Sequence, residues 1–137
     1  MRHWLGVVSR EHVRRGIGLG IAQVGHGRRS GLDRMEPGDT LIYYSPHVSL
    51  EAKEPLRAFT ALGRIADDEL WQADEGGFKP WRRRVEYEPG AHELPLSRLS
   101  GALELTGTPN WGYQLRRGLI ELSEHDHLTI RAAMLAG

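Results

Sequence analysis

Five consecutive residues, Thr40-Leu41-Ile42-Tyr43-Tyr44, constrain the fold of this chain more than any other segment. Branched and aromatic side chains favour extended backbone, and neighbouring side chains in a strand point to opposite faces. Both faces here are apolar or aromatic, so both must be covered. Tyr43 and Tyr44 must also diverge, which lets one lie in a core while the other lines a cavity. Pro37-Gly38-Asp39 supplies a turn before this strand. Ser45-Pro46 is expected to end it, because proline cannot donate to a ladder.

Other strands follow from the same reasoning. His3 to Val8 reads as a first strand, and Ile21 to Val24 as a short one. Leu56 to Ile65 has Phe59, Ala61 and Ile65 on one face, with a bend or bulge expected at Gly63. Trp81 to Glu88 alternates: Trp81, Arg83, Val85 and Tyr87 share one face, and Arg82, Arg84, Glu86 and Glu88 the other. Gly118 to Leu122 reads as the last strand. Ser9 is positioned to cap a helix through His12 and Val13, expected to end near Gly16 because Gly16, Gly18 and Gly20 interrupt it. Leu32 to Met35 reads as one helical turn, and Leu94 to Leu99 as a short strand with a helical turn. Ser123, with acidic Asp126 three residues on, opens a helix from Glu124 to about Leu135. Gly25 to Gly31, Glu75 to Pro80 and Pro109 to Tyr113 read as turns or loops. Seventeen glycines suit such frequent turning. The sum is an α+β domain over residues 1–137. It has a small mixed barrel or curved sheet of five to seven strands, short flanking helices and a C-terminal helix.

Charge narrows the partners. Eighteen basic and eighteen acidic residues balance, so bulk attraction to phosphate is absent. Lys53 and Lys79 are the only lysines, and every other basic residue is arginine. Arginine offers a planar donor fork suited to phosphates and base edges, but a GC-rich coding sequence also favours it, so placement rather than number carries the information. There is no cysteine, hence no disulfide, thiolate nucleophile or cysteine-based zinc site. No apolar run suggests a signal peptide or a membrane span, and a cytoplasmic, membrane-free, monomeric protein is expected.

Catalytic patterns are missing. No Gly-x-Ser-x-Gly elbow occurs. Gly16-Ile17-Gly18-Leu19-Gly20 lacks the endings of a phosphate loop. His125 and His127, two apart on a helix, do not share a face, and with Ser123 and Asp126 they read as capping and solvated charge. His26, His47 and His92 stand on separate loops, and their spacing asks for no metal. Arginine pairs are more suggestive. Arg28-Arg29 lie in a glycine loop, Arg82 and Arg84 share a strand face, and Arg116-Arg117 follow an aromatic connection. Gathered on one side they would make a phosphate-tracking patch; scattered, they would simply pair with the acids. Trp4, Tyr43, Tyr44, Trp81 and Trp111 could stack on an extruded base or could belong to the core.

Taken in order, several segments resemble the EVE domain family. They are Trp4-Leu5-Gly6-Val7-Val8-Ser9 with His12 and Val13, Ala22-Gln23-Val24-Gly25-His26-Gly27, and Gly38-Asp39-Thr40-Leu41-Ile42-Tyr43-Tyr44-Ser45-Pro46. Phe59-Thr60-Ala61-Leu62-Gly63, Arg82-Arg83-Arg84-Val85 and Trp111-Gly112-Tyr113-Gln114-Leu115-Arg116-Arg117-Gly118 complete the series. The family is similar in fold to PUA and YTH domains. The resemblance implies a non-catalytic module, without cofactor or metal, that binds RNA or DNA and holds a modified base in an aromatic pocket. It nominates Trp4, Ser9, Tyr43, Tyr44, Ser45, Pro46 and Trp111 for the pocket, and His26, Arg28 and Arg29 for its rim. Arg82, Arg84, Arg116 and Arg117 are the further phosphate candidates. Arg28, Arg29 and His47 stand where relatives often carry lysine. The alternatives are a small-ligand sensor or interaction module using the same pocket, or an enzyme built on His12 or His26 beside a carboxylate such as Glu11.

Overall fold

The computed structural model describes residues 1–136. Its strands are β1 (His3–Val7), β2 (Ile21–Ala22), β3 (Thr40–His47), β4 (Pro55–Gln72), β5 (Trp81–Tyr87), β6 (Leu94–Pro95) and β7 (Leu119–Leu122). The helices are α1 (Arg10–Leu19), α2 (Glu104–Gly107), α3 (Trp111–Gln114) and α4 (Glu124–Leu135). All seven strands form one sheet in the order β2-β5-β4-β3-β1-β7, with β6 beside β4. β1 and β3 run parallel, and the other pairs are antiparallel. The sheet is mixed and curved but does not close. No helix among the described residues is long and apolar enough to cross a membrane.

β3 is covered on both faces, as its composition requires. Leu41 and Tyr43 join Trp4, Val13, Val24 and Val85 on one side. Ile42 and Tyr44 join Leu5, Phe59, Ile130 and Met134 on the other, beneath α4. The long β4 contributes to both layers and is irregular at three places. Its register shifts between Ser45 and His47, opposite Tyr43/Tyr44 and again between Ile65 and Leu70; at the second, Thr60 is the extra residue and Phe59 turns to the layer opposite Ala61 and Ile65, against the shared face expected from sequence. None of these irregularities lies at Gly63. Gly63 is instead a close approach, where a β-carbon would sit 2.7 Å from Val85 Cγ1 and 2.9 Å from the Glu86 carbonyl oxygen.

β4 runs on to Gln72 and β2 stops at Ala22, beyond and short of the sequence reading, and three further boundaries differ. α1 does not end near Gly16 but runs to Leu19, and Gly20 (φ 68°) donates its N–H to the carbonyls of Gly16 and Ile17. Gly16 is buried inside the helix, where a β-carbon would lie 3.0 Å from the Ile21 carbonyl oxygen, so it allows packing rather than breaking the helix. β3 continues through Pro46 to His47, with Pro46 at a register shift where the ladder asks for no donor. Residues 111–114, read as a connection, form the short helix α3.

Candidate functional site

Parallel pairing brings the carboxyl ends of β1 and β3 to one end of the sheet, and antiparallel β7 begins there. Val7 N donates to the Gly118 carbonyl at 2.8 Å, and Val8 N to the Tyr44 carbonyl at 3.2 Å. Three connections therefore open from this end: Ser9 into α1, the Pro46–His47 exit of β3, and α3 with the Leu115–Arg117 turn leading into β7. A fourth joins them. A β-carbon on Gly31 would lie 2.9 Å from Leu119 Cδ2 and 3.2 Å from Val24 Cγ2, so the missing side chain lets the Val24–Gly31 loop settle against β7. Ser9, His26, Arg28, Arg29, Pro46, Trp111, Arg116 and Arg117 belong to these four connections.

Their side chains differ in freedom. His26, Arg28, Arg29, Arg116 and Arg117 are exposed. His26 adopts left-handed backbone (φ 61°) between Gly25 and Gly27, which do the same. Arg29 Nε bonds Asp33 Oδ1 at 2.8 Å while its guanidinium lies 4.8 Å from the centre of the Trp81 ring. Among the described residues, Arg28, Arg116 and Arg117 have no carboxylate within ion-pair distance. Trp111 is half-buried, and exposed Tyr113 has the Arg116 guanidinium 5.8 Å from its ring centre. Unneutralised cations and aromatic faces thus share this end.

The remaining candidates lie elsewhere or inward. An open cleft walled by Tyr43–Pro46 was expected, but this segment is packed on both sides. Trp4, Tyr43 and Ser45 are at most 1% exposed. The Tyr43 ring lies over Gly6, where a β-carbon would come within 2.6 Å of it. Tyr44 meets Phe59 edge-on at 5.6 Å, and Ser45 Oγ pairs with Thr60 Oγ1 at 2.8 Å. Ser9 is buried and caps α1 at the His12 amide. Arg82 and Arg84 are on the β5 side, not with Arg116 and Arg117. Arg82 bonds Gln23 Oε1 and pairs with Glu75, and Arg84 pairs with Asp67 and Glu69.

His3, His12 and His127 are engaged structurally. His12 Nε2 lies 3.0 Å from the Gln23 carbonyl oxygen, and burial lowers its pKa although that carbonyl works the other way. His127, read from sequence as solvated, is buried and stacks on His3 at 4.2 Å, with the Thr40 hydroxyl between their Nδ1 atoms. Burial first, then the nearby His3 and Arg131, pushes the His127 pKa down to about 4. No group of three or more His, Cys, Asp or Glu among the described residues is placed to hold a metal.

Two buried polar residues that brace the sheet and the loop beside it escaped the sequence reading. Asp39 accepts from Arg2 N (3.0 Å), Trp4 Nε1 (3.0 Å) and Glu36 N (2.9 Å), tying the start of β3 to β1. Burial alone would raise its pKa, but these donors outweigh burial and lower it. Arg83 donates to the carbonyls of Leu32 (3.2 Å), Met35 (2.6 Å) and Asp67 (2.6 Å), fixing the segment that follows the Val24–Gly31 loop. Its signal was present in the sequence, since Arg83 alternates with Trp81, Val85 and Tyr87 on the inward face.

Residues 2–133 match the family model described as EVE domain. The chain belongs to the EVE domain family. Among relatives of this EVE domain, a UPF0310 protein of Renibacterium salmoninarum is 53% identical over 131 residues, covering 96% of this chain and 94% of the relative. A UPF0310 protein of Mesorhizobium japonicum is 45% identical over 136 residues, covering 96% and 91%. Solved structures share the fold at lower identity. A hypothetical protein from Leishmania major superposes with a TM-score of 0.60 at 15% identity, covering 97% of this chain and 94% of that one. Human THYN1, solved in complex with 5-methylcytosine-containing DNA, superposes with a TM-score of 0.57 at 16% identity, covering 100% and 99%.

Proposed function

We propose that this EVE domain is a non-catalytic nucleic-acid-binding module that recognises a modified base, such as a methylated one, in RNA or DNA. The observation that carries the reading is that Arg28, Arg116 and Arg117, without carboxylate partners among the described residues, stand on connections at one end of the sheet that also carry Trp111 and Tyr113, with Arg116 over the Tyr113 ring. A formally neutral chain that leaves these guanidinium groups free at one place offers a local phosphate site. Arg28, Arg29, Arg116 and Arg117 take the backbone, which restrains the strand without reading its sequence. An unstacked base lies against Trp111, with His26 and the backbone of the Val24–Gly31 loop reaching its edge. Buried Tyr43, Tyr44 and Ser45 support the carboxyl end of β3 from within and Ser9 caps α1 there, while Trp4 lies towards the other end of β1. Family membership and the DNA bound to the THYN1 relative in fold support the same reading. A methyl group buried in a dry subsite adds roughly 1 kcal/mol, so discrimination between modified and plain bases is modest.

The test is a titration of matched oligonucleotides, DNA and RNA, with and without 5-methylcytosine, against wild type, Trp111→Ala and Arg116→Ala/Arg117→Ala. Binding that weakens at higher salt and falls in both variants is expected. Affinity unchanged across all of them would overturn the proposal.

A half-open cleft of ≈ 330 Å³ between α1 and the sheet, lined by Ile17, Thr60, Ala61, Val85, Tyr87 and Glu88 among others, contains none of the residues nominated for the base pocket and would suit a second reading, a small-ligand module with its site there instead. Isothermal titration with metabolite pools that finds a ligand lost on Ala61→Trp, with no oligonucleotide binding, would select it.

A further inference from the structure

Next to Gly27 stands a turn that the interface described above leaves unused. Glu75 N donates to the Phe78 carbonyl at 2.7 Å, and Gly76 (φ 67°) and Gly77 (φ 102°) supply the left-handed backbone the reversal needs. Its stem is held at several points. Ala73 N donates to the Pro80 carbonyl (2.8 Å), Gln72 Nε2 to the Lys79 carbonyl (3.0 Å) and Gly77 N to Asp74 Oδ1 (3.3 Å). The Glu75 carboxylate lies 3.1 Å from a guanidinium nitrogen of both Arg15 and Arg82. The turn is therefore well anchored, yet its one large apolar side chain, Phe78, is 49% exposed. A β-carbon on Gly27 would come within 3.1 Å of Phe78 Cζ and 2.8 Å of Pro80 Cβ, so this ring borders the His26–Arg29 loop. Exposed Lys79 follows it, and Trp81, covered by Arg29, lies just beyond. The acids of the turn face other duties: Asp74 holds the Gly77 amide and Glu75 holds two arginines.

We propose that Phe78 is a stacking contact for a second nucleobase of the bound strand, beside phosphates held by Arg28, Arg29 and Lys79. This rests on the nucleic-acid reading above. A fixed phenyl ring bordered by cations offers a π face and positive charge together, which is the pairing that single-stranded nucleic acid complements. A second copy of this chain docking there would bring like cations into opposition.

Wild type, Phe78→Ala and Phe78→Trp are titrated into a short fluorescein-labelled single-stranded DNA carrying one 5-methylcytosine, followed by anisotropy. A parallel strand carries 2-aminopurine next to that base. Phe78→Ala is expected to weaken binding about tenfold and to abolish the change in 2-aminopurine emission that wild type produces on binding, while Phe78→Trp keeps the affinity and the salt dependence stays unchanged. Affinity and emission change retained in Phe78→Ala, while Arg116→Ala/Arg117→Ala still weakens binding, would overturn the stacking role and leave the nucleic-acid reading standing. Absence of binding by wild type would remove both. Sedimentation showing a wild-type dimer that Phe78→Ala dissolves would give the ring to self-association instead.

Discussion

Gly6 shows how little freedom the centre of this sheet has. It pairs with Tyr43 across the parallel β1–β3 ladder, and the tyrosine ring occupies the space a side chain would need. Gly6→Ala is expected to cost roughly 1–3 kcal/mol through overpacking, read as a lower urea midpoint with an unchanged m-value. Asp39→Ala leaves three N–H donors without their acceptor, including the indole of fully buried Trp4. Its expected cost is roughly 2–4 kcal/mol, measured in the same way. These residues also mark how far a sequence can be read. An aromatic in a strand has the same identity whether it packs a core or cradles a ligand, so Trp4 and Tyr43 were nominated for a pocket and lie in the interior. Asp39 follows Pro-Gly and reads as an ordinary turn residue; only the fold reveals three donors aimed at it.

Helices and strands were legible where local chemistry and packing agree. Ser123 caps the amide of Asp126, and α4 runs from Glu124 to Leu135 as the sequence predicts. What the cap pattern conceals is the further work of Asp126. Its carboxylate turns away from its own helix to accept from Glu104 N (2.8 Å) and Leu105 N (2.9 Å), so it caps α2. Asp126→Ala is expected to raise hydrogen exchange at residues 104–107 and to cost about 1 kcal/mol, while α4 stays helical. The glycines of α1 read as breakers in the sequence, whereas Gly16 allows close packing on Ile21. The α4–sheet contact through His127 also predicts a pH dependence. The folded chain keeps this ring neutral, with a pKa of about 4 against an ordinary 6.5. Its contribution to stability is therefore complete above pH 6.5 and lost progressively as the pH falls towards 4, where an unfolded ring takes a proton and the folded one resists. The groups facing it are His3, the Thr40 hydroxyl and Arg131. Thermal melts across that window should show the decline, and His127→Gln should flatten it.

At the scale of the molecule, charge is balanced in sum and uneven in place. Among the described residues, Arg82 and Arg84 on β5 are bound to carboxylates, while Arg28, Arg116 and Arg117, like Arg2, Arg34, Arg57, Arg98 and Arg131 elsewhere, are not. Arg116→Ala/Arg117→Ala is accordingly expected to reduce the slope of log affinity against log salt for single-stranded DNA by about 1.4, roughly 0.7 per lost phosphate contact; an equivalent Arg64→Ala should leave it unaltered, since Arg64 pairs with Glu86 of β5 and lies opposite Thr40, at the other end of β3. The family pattern predicted the fold as a whole, but this unevenness depends on which acids reach which arginines, and spacing along the chain does not determine that. The sheet's failure to close has its own consequence. Its two outermost strands, β2 and β7, span two and four residues. So short a row of free amides and carbonyls gives an incoming chain almost nothing to template on, and the open sheet is protected from fibre-like growth by the brevity of its margins.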